Sequence, residues 1–238
     1  FSEAGISAGM RVLDIGSGAG DVAFLAAELV GAAGEVIGTD TAAPAIAIAM
    51  SGAAERRLTN VSFRQGNPAA MSFERPFDAV VGRYVLLFQA EPAELVRTVS
   101  RHVRPGGLVV FHEPDWAGAR SIPSAPTYDR CCGWIRETFR LAGTDGDMAG
   151  ELFATFVRAG LQPEMHMQTF IGGGAACADF LQAVAELVGS LVPSMERLGV
   201  ATSLEVDVAT LPERLMRETM ENGGVIIGRS EIGAWARL

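Results

Sequence analysis

Three glycines and the carboxylates around them form the cluster in this chain whose spacing most clearly suits chemistry. The run Val12-Leu13-Asp14-Ile15-Gly16-Ser17-Gly18-Ala19-Gly20-Asp21 is an apolar segment that enters a glycine loop and then a helical stretch. Glycine backbone lets a ligand come close, and the start of the helix presents free N–H groups. Asp40 lies 22 residues beyond Gly18, at the end of the next strand-like segment, where a carboxylate accepts both hydroxyls of a ribose. The combination predicts a site for a nucleoside-containing cofactor. The spacing narrows the choice. A dinucleotide loop reads G-x-G-x-x-G and seats a pyrophosphate on the helix N-terminus. Here the third glycine comes one position early, at Gly20, and Asp21 stands where the last one belongs. Its charge would face two phosphates. A cofactor carrying a sulfonium and an ammonium, with no phosphate, meets no such repulsion. The plainer role for Asp21 is to cap the helix.

These residues need a scaffold that brings strand ends to one edge. Residues 10–15, 35–39, 61–64, 77–81 and 108–112 read as strands, and 21–30, 44–58 and 92–103 carry apolar residues at helical spacing. Arg56 and Arg57 suit the C-terminal dipole of the second helix, and Pro105-Gly106-Gly107 is a turn that launches the fifth strand. Alternation at this pitch predicts an α/β fold with a parallel sheet covered on both faces. Beyond Glu113 the pattern changes. Three prolines fall within 114–126, helices are expected over about 128–141 and 149–159, and a strand over 164–171. Residues 175–221 look wholly helical, with Pro193 and Pro212 as breaks or first-turn residues. Gly223-Gly224 introduces a last strand from Val225 towards Trp235. The expected organisation is a single domain over 1–238, with 114–147 and 175–221 as helical lid or insertion segments.

The 238 residues hold 19 Lys+Arg against 28 Asp+Glu, a formal net charge of -9, with 49% hydrophobic residues. Such apolar content excludes a disordered or fibrous chain. The negative balance argues against nucleic-acid or anionic-membrane partners, which need local positive charge. No run approaches the ~18 uninterrupted apolar residues of a membrane span. Cys131 and Cys132 are adjacent and Cys177 stands alone, with neither a disulfide framework nor metal-ligand spacing. No metal is expected, and the thiols read as buried and reduced in a cytoplasmic protein. The chain opens at Phe1, close to a strand, which implies preceding sequence.

In these motifs the chain resembles the class I S-adenosylmethionine-dependent methyltransferases, particularly the small-molecule branch of ubiquinone/menaquinone-type enzymes. The likeness runs in order through roughly residues 5–113 and weakens over the last two strands. Asp14, Gly16, Ser17, Gly18 and Gly20 fit the family's first motif, around the methionine part of the cofactor. Asp40 fits the ribose-binding acid, with Thr41 beside it. Gly66-Asn67-Pro68 stands where the family usually has Gly-Asp-Ala, whose acid accepts the adenine amino group. The Asn67 amide oxygen can accept the same bond, and the plainer role of Asn67-Pro68 is an ordinary turn. Arg83 fits a loop lining the methionine end, and Arg104-Pro105-Gly106-Gly107 matches the entry to strand five. The resemblance implies a Rossmann-like, seven-stranded, mostly parallel sheet in order 3-2-1-4-5-7-6, its last strand antiparallel, with a helical insertion. Strands six and seven would be 164–171 and 225–235. It also implies S-adenosyl-L-methionine as cofactor, S-adenosyl-L-homocysteine as product, and a lid helix ahead of Phe1.

Methyl transfer from a sulfonium is an in-line displacement, so alignment and desolvation are the main tasks. A base is needed only where the acceptor loses a proton, and the strand ends offer Arg83, Tyr84, His112, Glu113 and Asp115. His112 and Glu113 point to opposite faces of a strand, so at most one faces the acceptor. Glu113, nearest the loop, is the expected base, with His112 the other candidate; the plainer role of His112 is structural packing or hydrogen bonding, and a reaction without a base is a further alternative. Tyr84, Phe88, Asp115 and Trp116 are expected to bind the acceptor, joined by Trp134 and Phe139 under a helical lid. Each aromatic has core packing as its alternative, and Asp115 has a turn cap. His166, with Met165 and Met167, reads as core. Gly82-Arg83-Tyr84-Val85 replaces the Asn/Asp-Pro-Pro-Tyr/Phe motif of amino-methylating relatives, which disfavours adenine or glutamine as acceptor. The expected function is biosynthetic O- or C-methylation of a small, apolar or aromatic metabolite. The alternatives are a protein that uses the bound sulfonium for a pericyclic or cyclising step, or a non-catalytic partner. The expected partner is a small molecule, with a homodimer left open.

Overall fold

A computed structural model describes residues 1–144 and 146–238. They divide into two units: Phe1–Glu113 with Ala149–His166 and Ile232–Leu238, and Pro114–Met148 with Met167–Glu231.

In the first unit β1 (Arg11–Ile15) pairs in parallel with β2 (Glu35–Asp40) on one side and β4 (Phe77–Arg83) on the other. β3 (Val61–Gln65) continues the sheet beyond β2, and β5 (Val103–Asp115) beyond β4, both parallel. Helices α1 (Asp21–Val30), α2 (Ala43–Glu55) and α3 (Pro92–Ser100) connect these strands. The core reads directly from periodicity. Alternate strand residues Val12, Val36, Ala79, Val81, Leu108 and Val110 meet Val22, Ala23, Ala26, Ala27 and Val30 of α1. Each buried valine or leucine contributes about 1.5–3 kcal/mol. The small residues of α1 let the helix lie close to the sheet. Within the sheet, an added Cβ at Gly38 of β2 would stand 2.5 Å from the Phe63 ring of β3.

Pro105-Gly106-Gly107 is not a turn before β5 but a bulge within it: Val103 faces Phe77, and the next pair is Leu108 with Ala79. The bulge has two uses. Arg104 reaches back to Asp78 at 2.6 Å, and Gly106 and Gly107 exchange backbone hydrogen bonds with Leu238 at 2.9 and 3.0 Å. That exchange brings in β8 (Val225–Arg237), which runs antiparallel. The strand order is β3-β2-β1-β4-β5-β8-β6, and β7 (Glu164–Gly173) also pairs β8. The expected sixth and seventh strands are therefore β7 and β8. The difference is β6 (Arg120–Ile122), a three-residue strand antiparallel to β8 that is hidden in the sequence among prolines.

The second unit packs α4 (Pro126–Leu141), α6 (Ala178–Leu198), α7 (Ser203–Val206) and α8 (Leu211–Asn222); α5 (Met148–Arg158) belongs with the first unit from Ala149 on. Tyr128, Cys131, Cys132 and Ile135 of α4 meet Leu181, Val184, Ala185 and Val188 of α6 and Leu211 and Leu215 of α8. These are i, i+3, i+4, i+7 stripes. The Tyr128 hydroxyl donates to the Ile227 carbonyl at 2.9 Å. All three thiols are buried and free. Burial pushes Cys131 up to about 12 and Cys132 up to about 11. The expected segments 114–147 and 175–221 fall in this unit, apart from Asp145, which lies outside the described residues. Pro193 does not break α6, which runs on to Leu198. The proline forfeits one helical bond, and buried Val188 and Met195 on either side hold the helix together. Gly174–Leu198 is long and apolar enough by length and composition to cross a membrane. Averaged hydropathy admits it despite Asp179 and Glu186, which a search for an uninterrupted run does not. Met165 and Met167 are exposed rather than core, and His166 Nδ1 lies 3.2 Å from Glu3 on the surface.

Gly38→Ala should cost about 1–3 kcal/mol, the usual penalty of overpacking, read as a lower urea midpoint at unchanged slope. Burial alone would raise the Asp78 carboxyl, but the Arg11 backbone N–H and the Arg104 guanidinium outweigh it and hold it below the usual carboxylate range. Its contribution is present above the unfolded value of about 3.9 and is lost as pH falls through the lower folded one. Asp78→Asn should therefore flatten that part of the acid loss in a pH series of thermal melts.

Candidate functional site

The loop after β1 is built from backbone bonds to β2. Ser17 N–H donates to the Thr39 carbonyl at 2.9 Å, and Gly18 N–H to Asp40 Oδ2 at 2.9 Å. Asp40 Oδ1 accepts from Ala42 N–H at 2.8 Å, and the Thr39 hydroxyl donates to the Asp14 carbonyl at 3.2 Å. Gly16 has φ 62, and a Cβ there would stand 2.7 Å from Val85 Cγ2, so strain and contact both demand glycine. Gly20 is the N-cap of α1. Asp21 is the first helical residue and makes no side-chain cap bond, so its acid serves the helix dipole instead.

Beneath this loop sit polar atoms sealed from solvent. Asp14 is 1% exposed; neither of its carboxylate oxygens, nor the Ser17 hydroxyl, has a hydrogen-bond partner among the described residues. Burial pushes the Asp14 carboxyl well above its ordinary range. The Arg83 charge opposes the shift, and the Asp40 charge adds to it. Buried polar atoms are otherwise almost always satisfied, so these orphans and the glycine cradle mark a ligand site. Two carboxylates flank it, which favours a cation and disfavours phosphate.

A cavity of about 380 Å³ opens beside the loop. Of the residues expected from sequence, Gly16, Asp40, Thr41, Asn67, Pro68, Tyr84 and Phe88 line it. Ile15, Val85, Gln89 and Leu95 line it unforeseen. Ile15 could have been inferred from its place between Asp14 and Gly16; the other three carry no local signature. The Asn67 side-chain oxygen accepts from Ala69 N–H at 2.9 Å and starts a 3-10 turn at Pro68–Ala70. The ordinary-turn role is thus real, and the oxygen keeps a second lone pair for another donor.

The segment that follows β4 supplies Tyr84, Val85, Phe88 and Gln89 to the lining, and β4 itself supplies none. Arg83 at its end is half-buried, with its guanidinium 5.4 Å from the Tyr84 ring centroid. Tyr84 has φ 58, a left-handed backbone that costs an aromatic residue about 1–3 kcal/mol. Its ring centroid lies 5.8 Å from that of half-buried His112. Glu113 is fully buried and does not line the cavity; its Oε1 accepts from Val85 N–H at 3.0 Å and Leu86 N–H at 2.8 Å. The expectation that Glu113 faces an acceptor as a base is corrected by this inward turn. Asp115 Oδ1 accepts from Ala117 N–H at 2.8 Å and caps a turn. Trp116 is 2% exposed in the helical core, with Arg229 5.2 Å from its ring, and does not line the cavity. Trp134 and Phe139 pack against that same core.

Comparison with known proteins agrees with this geometry. The family model described as a methyltransferase domain matches residues 6–150. Demethylmenaquinone methyltransferase of Lactococcus lactis subsp. lactis (strain IL1403) is 35% identical over 121 residues, covering 50% of this chain and 46% of that protein. Nocamycin O-methyltransferase of Saccharothrix syringae is 41% identical over 108 residues, covering 44% of this chain and 38% of that protein. The chain thus spans less than half the length of these two relatives. Among solved structures, the YcgJ protein of Bacillus subtilis shares the fold at TM-score 0.60 and 21% identity, covering 100% of this chain and 96% of that one.

With a raised folded value, Asp14 leaves stability intact below the ordinary aspartate range and takes it away as pH climbs towards the raised one. Asp14→Asn should therefore raise the melting temperature of the ligand-free protein at pH 8, by about 2–4 °C for each kcal/mol relieved, and leave it unchanged near pH 3.

Proposed function

This chain belongs to the methyltransferase domain family, and we propose that it transfers a methyl group from S-adenosyl-L-methionine to oxygen or carbon of a small, apolar or aromatic metabolite. The observation that carries the reading is Asp40: a carboxylate at the end of β2, pinning the glycine loop and lining the cavity. When bound, S-adenosyl-L-methionine supplies a methyl group activated on a cationic sulfur.

The chain's own residues divide the work. The backbone of Gly16, Ser17, Gly18 and Gly20 admits the methionine part, and Asp14 supplies a negative field beneath it that suits an ammonium and a sulfonium. Each Asp40 oxygen already takes one amide and keeps a lone pair for a ribose hydroxyl, with Thr41 alongside. Asn67 accepts from the adenine amino group, and Pro68 closes that end. Arg83 pairs with the methionine carboxylate. Tyr84 and Phe88 offer aromatic surface to the acceptor. For a hydroxyl acceptor, His112 is the base in this reading: it does not line the cavity itself, but its ring stands 5.8 Å from that of Tyr84, which does. Relatives named for demethylmenaquinone and for O-methylation support this substrate class. Both units form one methyltransferase domain in this reading, because the match over residues 6–150 runs through residues of each.

Titration calorimetry should give S-adenosyl-L-methionine affinity in the micromolar range. Asp40→Ala should weaken it at least about 100-fold, because two charge-assisted bonds of roughly 1.5–3 kcal/mol each are lost. Tight binding of NADH with none of S-adenosyl-L-methionine would overturn the reading.

A further inference from the structure

Two residues of β5 hold three successive amides of the cavity wall. Tyr84 N–H donates to the His112 carbonyl at 2.9 Å, and Val85 and Leu86 N–H both donate to Glu113 Oε1 at 3.0 and 2.8 Å. Tyr84, Val85 and Phe88 from this stretch line the cavity. The short turn Leu86–Phe88 has no side-chain cap within its own sequence, although its first amides need acceptors. Glu113 supplies that cap from the neighbouring strand, fully buried. Two further features depend on it. Tyr84 stays at φ 58, which an aromatic residue keeps only where its surroundings enforce it. Val85 stays so close to Gly16 that a Cβ there would stand 2.7 Å from Val85 Cγ2, which fixes the gap between the wall and the glycine loop.

We infer that Glu113 is a positioning residue for cofactor binding: its carboxylate clamps the Val85 and Leu86 amides and so sets the wall that faces the glycine loop. It is not the base. A base must reach the acceptor, and this carboxylate is fully buried and does not line the cavity. The inference deepens the proposed function and rests on the cavity being the S-adenosyl-L-methionine site.

Glu113→Gln and Glu113→Ala separate the roles. Glutamine keeps a side-chain carbonyl oxygen that accepts both amides, whereas alanine leaves them without an acceptor. Calorimetry with S-adenosyl-L-methionine should place the glutamine variant within about threefold of wild type and the alanine variant at least about tenfold weaker, with far-UV circular dichroism unchanged in both. A folded alanine variant that binds like wild type would refute the clamp, as would a glutamine variant as weak as alanine. Should alanine fail to fold, amide exchange in the ligand-free wild type decides. Val85 and Leu86 should be protected far beyond exposed Ala90, and fast exchange at both overturns the inference. A wild type that binds no S-adenosyl-L-methionine sinks the proposed function, while the exchange measurement still judges the clamp.

Discussion

The hydrogen bond from Gly18 N–H to Asp40 Oδ2 is the contact on which the site depends. The parallel register of β1 and β2 sets Ile15 opposite Thr39, so the glycine loop and Asp40 leave the sheet at the same edge. There one carboxylate serves two elements. One oxygen takes the loop amide, and the other takes Ala42 N–H at the N-cap of α2. The Thr39 carbonyl and hydroxyl add two more stitches between the same segments. The loop is therefore shaped by its own protein before any ligand arrives, which lowers the ordering cost of binding.

This arrangement is expensive in isolation. Asp14 is buried without hydrogen bonds, close enough to Asp40 to feel its charge, and Tyr84 holds a left-handed backbone. Compensation comes from the layer behind the strands, where valines of β1, β2 and β4 pack on a helix of small residues. Stability is concentrated in the core and spent at the strand ends, the usual division in proteins whose sites demand strain.

What could be read from sequence was local. The glycine spacing, Asp40 and the alternation of strand with helix each lie within a few dozen residues and follow from backbone sterics and periodicity. What could not be read was set by tertiary partners. A place at a strand end tells which edge of the sheet a residue occupies, but not whether its side chain turns outward. Glu113 turned inward because amides 27 and 28 residues away needed an acceptor. Trp116 went into the helical core for its apolar area, beneath Arg229. Pro105-Gly106-Gly107 looked like a turn, and pairing with Leu238 made it a bulge. Val85, Gln89 and Leu95 reach the cavity from segments that share no pattern with the glycine loop.

The cysteines carry a practical consequence. All three belong to the second unit and are buried; the first unit holds none. Burial keeps the Cys131 and Cys132 thiols protonated and slow to react. Modification by a thiol reagent under native conditions is thus a clock for openings of the second unit, including the stretch of β8 around Ile226 that packs with Cys177. The sequence has built in a reporter that resolves the local stability of one unit within the intact chain.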